Sequence, residues 1–318
     1  MTSDEVRKRQ FDSYATSEQV IKGIDLSGKT YAVTGTTSGI GVETARSLAL
    51  NGAHVIMLNR NVQESEKLKN KIIEEFAEAK VDIVQCDLNS LKSVEKAADE
   101  YISKEWPIHG LVLNAGVCGP ASRTTSDGLE SHFGINHLAH HLLIRKFLPT
   151  IRKTTPARIV ILSSTANLRT AVNSSLPIEE KIKLLCPEDP SVSNWYRFYA
   201  RSKMCNTLTA FKLHREESSN GVSTYSVHPG ALIRTSIFRD SWLVTIGSIL
   251  VSPFTKSISQ GAATTLYCAA NPEVATVSGK HWDSCWDDET TLDKTLAKDE
   301  ALQDALWNRS EQLLEKYL

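Results

Sequence analysis

Of the eight tyrosines in this 318-residue chain, only Tyr199 has a lysine four residues on, Lys203, in the run YARSK. Positions i and i+4 share one face of a helix, so a phenol and an ammonium there can meet in one pocket. A free tyrosine holds its proton up to a pKa near ~10, and a neighbouring cation lowers that value. The pair suits proton exchange with an oxygen that alternates between carbonyl and alcohol: protonation of a forming alkoxide in reduction, deprotonation of the alcohol in oxidation. Taken alone, the same spacing also describes a solvated helix face. Ser163-Ser164 closes the apolar run RIVILSS (158–164), where a hydroxyl can hydrogen-bond a substrate oxygen.

Between residues 29 and 229, apolar runs alternate with helical patterns. The strand-like runs are KTYAVTG (29–35), HVIMLN (54–59), DIVQCDL (82–88), GLVLNAG (110–116), RIVILSS (158–164) and STYSVHPG (223–230), with a short last one at GKHWD (279–283). They are rich in Val, Ile and Leu and nearly continuous, as strands covered by helices on both faces should be. The expected fold class is α/β: a single-domain, doubly wound (Rossmann) parallel sheet flanked by helices on both faces. Helical patterns include 127–148, the segment from Tyr199 onward, and a C-terminal helix over roughly 300–317. Residues 1–27 read as an N-terminal leader and 28–318 as the domain.

Between the first strand and the first helix stands Thr34-Gly35-Thr36-Thr37-Ser38-Gly39-Ile40-Gly41. Gly35 can take the angles of a tight turn, and Gly39 lets backbone approach a pyrophosphate. Gly41 permits close helix–strand packing, and the helix N-terminus favours the phosphate charge. The second strand ends Leu58-Asn59-Arg60, where a carboxylate would bind the free ribose hydroxyl of NAD and repel a 2′-phosphate. Asn59 stands in that place, and the Arg60 guanidinium can pair with a phosphate. NADP (NADPH) is therefore expected in preference to NAD; the alternative for Arg60 is a surface arginine capping a strand end.

TGTTSGIG resembles the glycine loop of the short-chain dehydrogenase/reductase family, although that family often has Asn where this chain has Thr37. The resemblance runs through the rest of the chain, in the branch of the retinol dehydrogenases and of the oxidoreductase domain of WW-domain-containing oxidoreductase. It rests there on IDLSGK (24–29), HPG and PFTKSISQGAATTLYCAANPE (253–273). It implies a catalytic set of Asn136, Ser164, Tyr199 and Lys203, with Asn136 helping to hold a proton-relay water. Lys203 and Tyr199 would also meet the nicotinamide ribose. It adds cofactor contacts at Gly35, Thr37, Ser38, Gly39, Ile40 and Gly41, at Asp87 and Leu88 beside adenine, and at Asn114, Ala115 and Gly116 of LNAG. Pro229 and Gly230 belong beside the nicotinamide. The paired WW modules are not expected, since the first tryptophan is Trp106.

The composition limits the partners. Net charge is −1, which gives no electrostatic reason to expect nucleic acid. Cys86, Cys118, Cys186, Cys205, Cys268 and Cys285 are scattered without a close pair, so a disulfide framework is not expected and a cytoplasmic location fits. His137, His140 and His141 lie on one helix with Asn136; packing or ring hydrogen bonds are expected there, and no metal. The run Trp242–Val251 is too short for the ~20 residues that span a bilayer, and reads as a substrate lid, a core helix or a membrane-touching lid, in that order. The expected partner is a small apolar alcohol or carbonyl compound, such as a retinoid, steroid or lipid aldehyde; a homo-oligomer is compatible. A cofactor-binding regulatory scaffold and a nucleotide-sugar epimerase are the competing classes, and fold alone does not separate them.

Overall fold

The computed structural model describes residues 10–189, 194–230 and 256–318. Trp242–Val251 lies outside them. Seven parallel strands form one sheet: β1 (Thr30–Thr34), β2 (His54–Asn59), β3 (Lys80–Gln85), β4 (Gly110–Leu113), β5 (Ala157–Leu162), β6 (Val222–His228) and β7 (Lys280–Asp283). Their order is β3-β2-β1-β4-β5-β6-β7. The order reverses between β1 and β4, so the crevice at their carboxyl ends is where a doubly wound sheet takes a ligand.

Side chains alternate across each strand, as a period of two demands. On one face, Ala32, Ile56, Leu58, Leu111, Leu113, Ile159 and Ile161 join a single apolar cluster. Val33, Val55, Met57, Val112, Val160 and Leu162 join the other. The first cluster takes in residues of α4 (Leu91–Ser103), α5 (Ala139–Lys153), α7 (Trp195–Glu217) and α10 (Glu300–Leu314). The second takes in α1 (Ser17–Ile21), α2 (Ile40–Leu50) and α8 (Ile258–Ala270). In sequence, α3 (Val62–Glu75) and α6 (Ile178–Leu185) precede α7, and α9 (Lys294–Ala297) precedes α10. Part of the segment read as a leader packs on the sheet: Val20, Ile21 and Leu26 are buried, and the Asn271 amide donates to the Val20 carbonyl at 2.9 Å.

Two boundaries differ from the sequence reading. The third strand sits earlier, because its register with β2 runs from His54 opposite Lys80 to Asn59 opposite Gln85, and on this edge strand Val81 and Val84 are buried on opposite faces. The pattern over 127–148 resolves into a π-helical turn, Phe133–Leu138, that runs into α5. Glu130, upstream of the turn, instead pairs with Thr124 in an isolated bridge. The turn widens the helix at Asn136, a device that recurs at functional sites.

The three histidines of this helix face three different partners. His137 Nε2 meets the Ser310 hydroxyl at 3.1 Å, and His141 Nε2 meets Glu311 at 2.8 Å, docking α10 on α5. Burial lowers the pKa of His137 and His141, holds His140 and His281 down at about 3, and holds His228 at about 4. Below about pH 6.5 the unfolded chain takes up protons that the folded chain refuses, so stability present above that pH is lost as the pH falls. Each ring contributes up to about 1.4 kcal/mol per pH unit. We expect urea unfolding to show a loss of about 4 kcal/mol or more between pH 6.5 and 5; a flat profile would mean that these rings accept protons inside the fold.

Candidate active site

The glycine loop is shaped by contact as well as by turn geometry. Gly35 and Gly39 have φ of 72° and 58°, in the region that favours glycine. A Cβ on Gly41 would lie 2.1 Å from the Gly35 carbonyl oxygen, and one on Gly35 would lie 2.8 Å from Ala115 Cα. The loop is held from the side by Asn114, whose amide donates to the Thr34 carbonyl at 3.0 Å and to the Gly35 carbonyl at 3.1 Å. The Thr34 hydroxyl accepts the backbone N–H groups of Asn114 and Ala115, each at 3.0 Å. The end of β1 is thus stitched to the end of β4. Asn114 spends its side chain on the loop itself.

Helices α3, α4, α7, α8 and α10 each begin under a side-chain cap, from Asn61, Ser90, Asn194, Ser257 and Asp299. Helix α2 begins on Gly39, and among the described residues no side chain caps it. Its first N–H groups and its dipole are oriented to receive an anion. Ile40, its first residue, is buried; Thr37 is half-buried, and Ser38 is exposed at the loop tip. An uncapped helix start behind glycines whose Cβ would fill the cradle fits the pyrophosphate of a dinucleotide.

At the end of β2 the structure separates two neighbours. Asn59 is buried and fully used: its carbonyl accepts the Thr36 N–H at 2.7 Å, and its amide donates to Thr36 Oγ1 and Ser65 Oγ at 2.6 and 2.8 Å. It holds the glycine loop and has no amide hydrogen left for a ribose. Arg60 is exposed beside it. Asp87 and Leu88 follow β3 half-buried; one Asp87 oxygen accepts the Asn89 N–H at 3.0 Å.

Across the crevice, Ser163 and Ser164 divide their tasks. Ser163 is buried and donates to the Lys203 carbonyl at 2.9 Å, so it anchors α7. Ser164 is half-buried; its hydroxyl accepts the Ala166 N–H at 3.2 Å and stands near enough to Tyr199 to pull the phenol's pKa down. Lys203 is buried on the same helix, its amine 5.7 Å from the centre of the Tyr199 ring and donating to the Leu162 carbonyl at 3.1 Å. A Cβ on Gly116 would stand 3.2 Å from Asn136 Oδ1 and 3.4 Å from Lys203 Nζ, so a side chain there would press on both groups.

Asn136, fully buried, places its side chain on the scaffold. Its Oδ1 accepts the Val117 N–H at 2.7 Å, and its Nδ2 donates to the Val117 carbonyl and the Ser202 hydroxyl, each at 3.0 Å. Ser202 donates on to the Tyr199 carbonyl at 2.8 Å. Gly119, two residues past Val117, donates its N–H to His132 Nε2 at 3.1 Å, and His132 Nδ1 lies 2.7 Å from buried Glu130. Glu130, His132 and Ser202 were not singled out by spacing, whereas the ring hydrogen bonds expected of His140 are present, to the Thr34 hydroxyl and the Asn136 carbonyl. Pro229 and Gly230 follow β6, and Gly230 has φ of 108°.

Electrostatics depart from expectation at one point. Burial drives the Tyr199 phenol up rather than down; Cys118 adds to the rise, and Ser164 opposes it. Burial also presses Lys203 down to about 8. The ammonium lies beside the ring, not at the hydroxyl, so desolvation outweighs its attraction. Tyr199 is therefore held as a proton donor.

Comparison with known proteins gives the family. A family model described as short chain dehydrogenase matches residues 29–176. A WW domain-containing oxidoreductase of Gallus gallus is 40% identical over 312 residues, covering 98% of this chain and 74% of that protein. The chain belongs to the short-chain dehydrogenase family. Two further relatives place it among the oxidoreductases of that family. Short-chain dehydrogenase TIC 32 A, chloroplastic, of Brassica napus is 36% identical, covering 99% of this chain and 98% of that one. Retinol dehydrogenase 12 of Mus musculus is 34% identical, covering 92% and 88%. Among solved structures, an uncharacterised protein from Mycobacterium paratuberculosis superposes with a TM-score of 0.68 at 26% identity, covering 93% of this chain and 97% of that one. A gluconate 5-dehydrogenase from Beutenbergia cavernae, whose structure is described with bound NADP, shares the fold at 0.62 and 21% identity, covering 81% and 95%. No helix among the described residues is long and apolar enough to cross a membrane.

The buried ammonium yields a prediction that separates stability from activity. At pH 7 Lys203 is charged in the folded and the unfolded chain alike, and the folded chain bears the desolvation cost. Above about 8 the folded chain releases its proton while the unfolded one keeps it to about 10.5, so stability rises through that window. Lys203→Met removes the buried charge, and the Leu162 carbonyl keeps its bond from Asn206 at 2.9 Å. We expect the variant to be more stable than the native chain at pH 7, by on the order of 2 kcal/mol, and to lack the alkaline rise. Thermal melts at pH 7 and 9.5 check it; a less stable variant would show that the ammonium is well solvated in the fold.

Proposed function

We propose that this short-chain dehydrogenase is an NADP(H)-dependent oxidoreductase that interconverts an apolar alcohol and its carbonyl, of the retinoid, steroid or lipid aldehyde class. The observation that carries the reading is the buried Lys203 amine set over the Tyr199 ring, with Ser164 close enough to act on the phenol, beside the crevice where the strand order reverses. Gly35, Gly39, Gly41 and the start of α2 would hold the pyrophosphate. Arg60 would hold the 2′-phosphate, Asp87 and Leu88 would flank adenine, and Ala115, Gly116, Pro229 and Gly230 would line the nicotinamide end. The bound cofactor supplies or accepts the hydride.

Everything else is work for this chain. The Tyr199 hydroxyl, held protonated by burial, gives its proton to the carbonyl oxygen as negative charge develops there. The Ser164 hydroxyl orients that oxygen by a second hydrogen bond. The Lys203 ammonium stabilises the phenolate left behind, and, facing the ribose, adds affinity for the cofactor. In oxidation the same phenol must first lose its proton, which burial opposes, so the alcohol-forming direction is favoured at neutral pH. The absence of a long apolar helix among the described residues is compatible with a cytoplasmic enzyme, alone or as a homo-oligomer.

Assay of all-trans-retinal, androstenedione and decanal with NADPH, followed by nicotinamide absorbance, tests the reading. Tyr199→Phe keeps the ring and should bind NADPH as the native protein does, with turnover reduced by about 10²–10⁴. Native-rate turnover by that variant would remove Tyr199 from the chemistry. Tight NADPH binding with no turnover of any compound would make the protein a cofactor-binding scaffold.

Arg60→Ala should weaken NADPH binding by roughly ten- to hundredfold, the loss of one charge-assisted phosphate contact of about 1.5–3 kcal/mol, and leave NADH binding nearly unchanged. Equal weakening of the two, read by fluorescence titration, would place the 2′-phosphate elsewhere.

A further inference from the structure

The Asn136 side chain gives both amide hydrogens, to the Val117 carbonyl and the Ser202 hydroxyl, and its oxygen accepts the Val117 N–H. The Asn136 backbone carbonyl is reached by a neighbouring side chain. His140 Nδ1 lies 3.1 Å from the Asn136 carbonyl oxygen, and His140 Nε2 lies 3.1 Å from the Thr34 hydroxyl. The ring is buried.

Donor and acceptor counting fixes the tautomer from both ends. The Thr34 oxygen already accepts two backbone N–H groups, from Asn114 and Ala115, which fills its two lone pairs. Its own proton must therefore go to His140, and Nε2 must be the bare nitrogen. At the other end a carbonyl can only accept, so Nδ1 must carry the proton. The opposite tautomer would give Thr34 a third donor and set a nitrogen lone pair against a carbonyl lone pair. A doubly protonated ring would repeat the first fault, and the low pKa of His140, set chiefly by burial and then by the Lys203 charge, agrees with a neutral ring.

We propose that His140, as the Nδ1–H tautomer, is a positioning residue. It ties the Asn136 carbonyl, on the π-helical turn whose amide reaches Ser202, to the loop that cradles the cofactor. The bonds run in one sense: the N–H groups of the post-β4 loop donate to Thr34, Thr34 to His140, and His140 to Asn136. The amide of Asn136 then donates to Ser202, and Ser202 to the carbonyl of Tyr199. Displacement of the glycine loop is thereby felt at the catalytic helix through five residues.

The kinetic consequence rests on the oxidoreductase reading above; the tautomer does not. Long-range ¹H–¹⁵N correlation spectra of histidine-labelled protein, with His140→Leu used to assign the signal, should show a protonated Nδ1 and a bare Nε2. For kinetics, His140→Leu removes both ring contacts, whereas His140→Asn restores an N–H donor at the Nδ1 position only. With all-trans-retinal and NADPH, kcat should fall by about ten- to hundredfold in His140→Leu while KM for retinal moves little. His140→Asn should return kcat to within about threefold of the native value. Thermal melts of both variants report folding separately. A protonated Nε2 overturns the proposal, as does equal loss of kcat in the two variants or native kcat in a folded His140→Leu. If the native protein does not reduce retinal, the functional reading fails on that probe, while the tautomer measurement still decides the hydrogen-bond assignment.

Discussion

The site depends on how closely helix α2 approaches the turn that ends β1. Gly41 lies so near the Gly35 carbonyl that a methyl group there would overlap it, and Asn114 grips the same carbonyl from β4. Two backbone segments and one amide thus share a single oxygen's surroundings. The close approach aims the helix N-terminus along the crevice, and the amide prevents the turn from opening toward β4. Neighbouring features inherit their placement from it: the Ala115–Gly116 backbone follows Asn114, and Val117 then meets the Asn136 side chain.

A second constraint is electrostatic. The fold buries an ammonium and a phenol side by side, and burial penalises the charged form of each. Tyrosine is held as the phenol, and the lysine pKa is pressed down while the amine stays charged at pH 7. Such a site stores free energy that a packed apolar core would not, and it is held by surrounding bonds from Leu162, Ser163 and Asn206 that fix α7 against β5. Stability is diverted into the site, as is common where function requires strained or desolvated groups.

The sheet and its topology were legible because nearly unbroken β-branched runs admit few alternatives, and the i, i+4 spacing alone put Tyr199 and Lys203 on one face. What spacing does not reveal is which of two adjacent polar residues points where. Asn59 and Arg60 sit side by side, yet one is consumed inside and the other exposed; Ser163 and Ser164 divide in the same way. Those outcomes are set by strand pleat and by partners distant in sequence. The π-turn was missed because a 3.6-residue period tolerates a single extra residue, and the direction of the Tyr199 shift because desolvation is a property of the assembled pocket. The spacing of His137, His140 and His141 announced ring hydrogen bonds but not their partners, and His132 was hidden because a lone histidine has no pattern that tells anchor from filler.

The π-helical turn at Phe133–Leu138 has a consequence for how this region can change through evolution. An α-helix advances about 100° per residue, so deleting one residue to restore regular winding would swing Asn136 by more than a quarter turn relative to α5. Its amide would leave Val117, and its carbonyl would leave the reach of His140. Substitutions along this segment alter one contact at a time, whereas a length change of a single residue breaks all of them together. The segment is thus open to drift in composition and closed to drift in length.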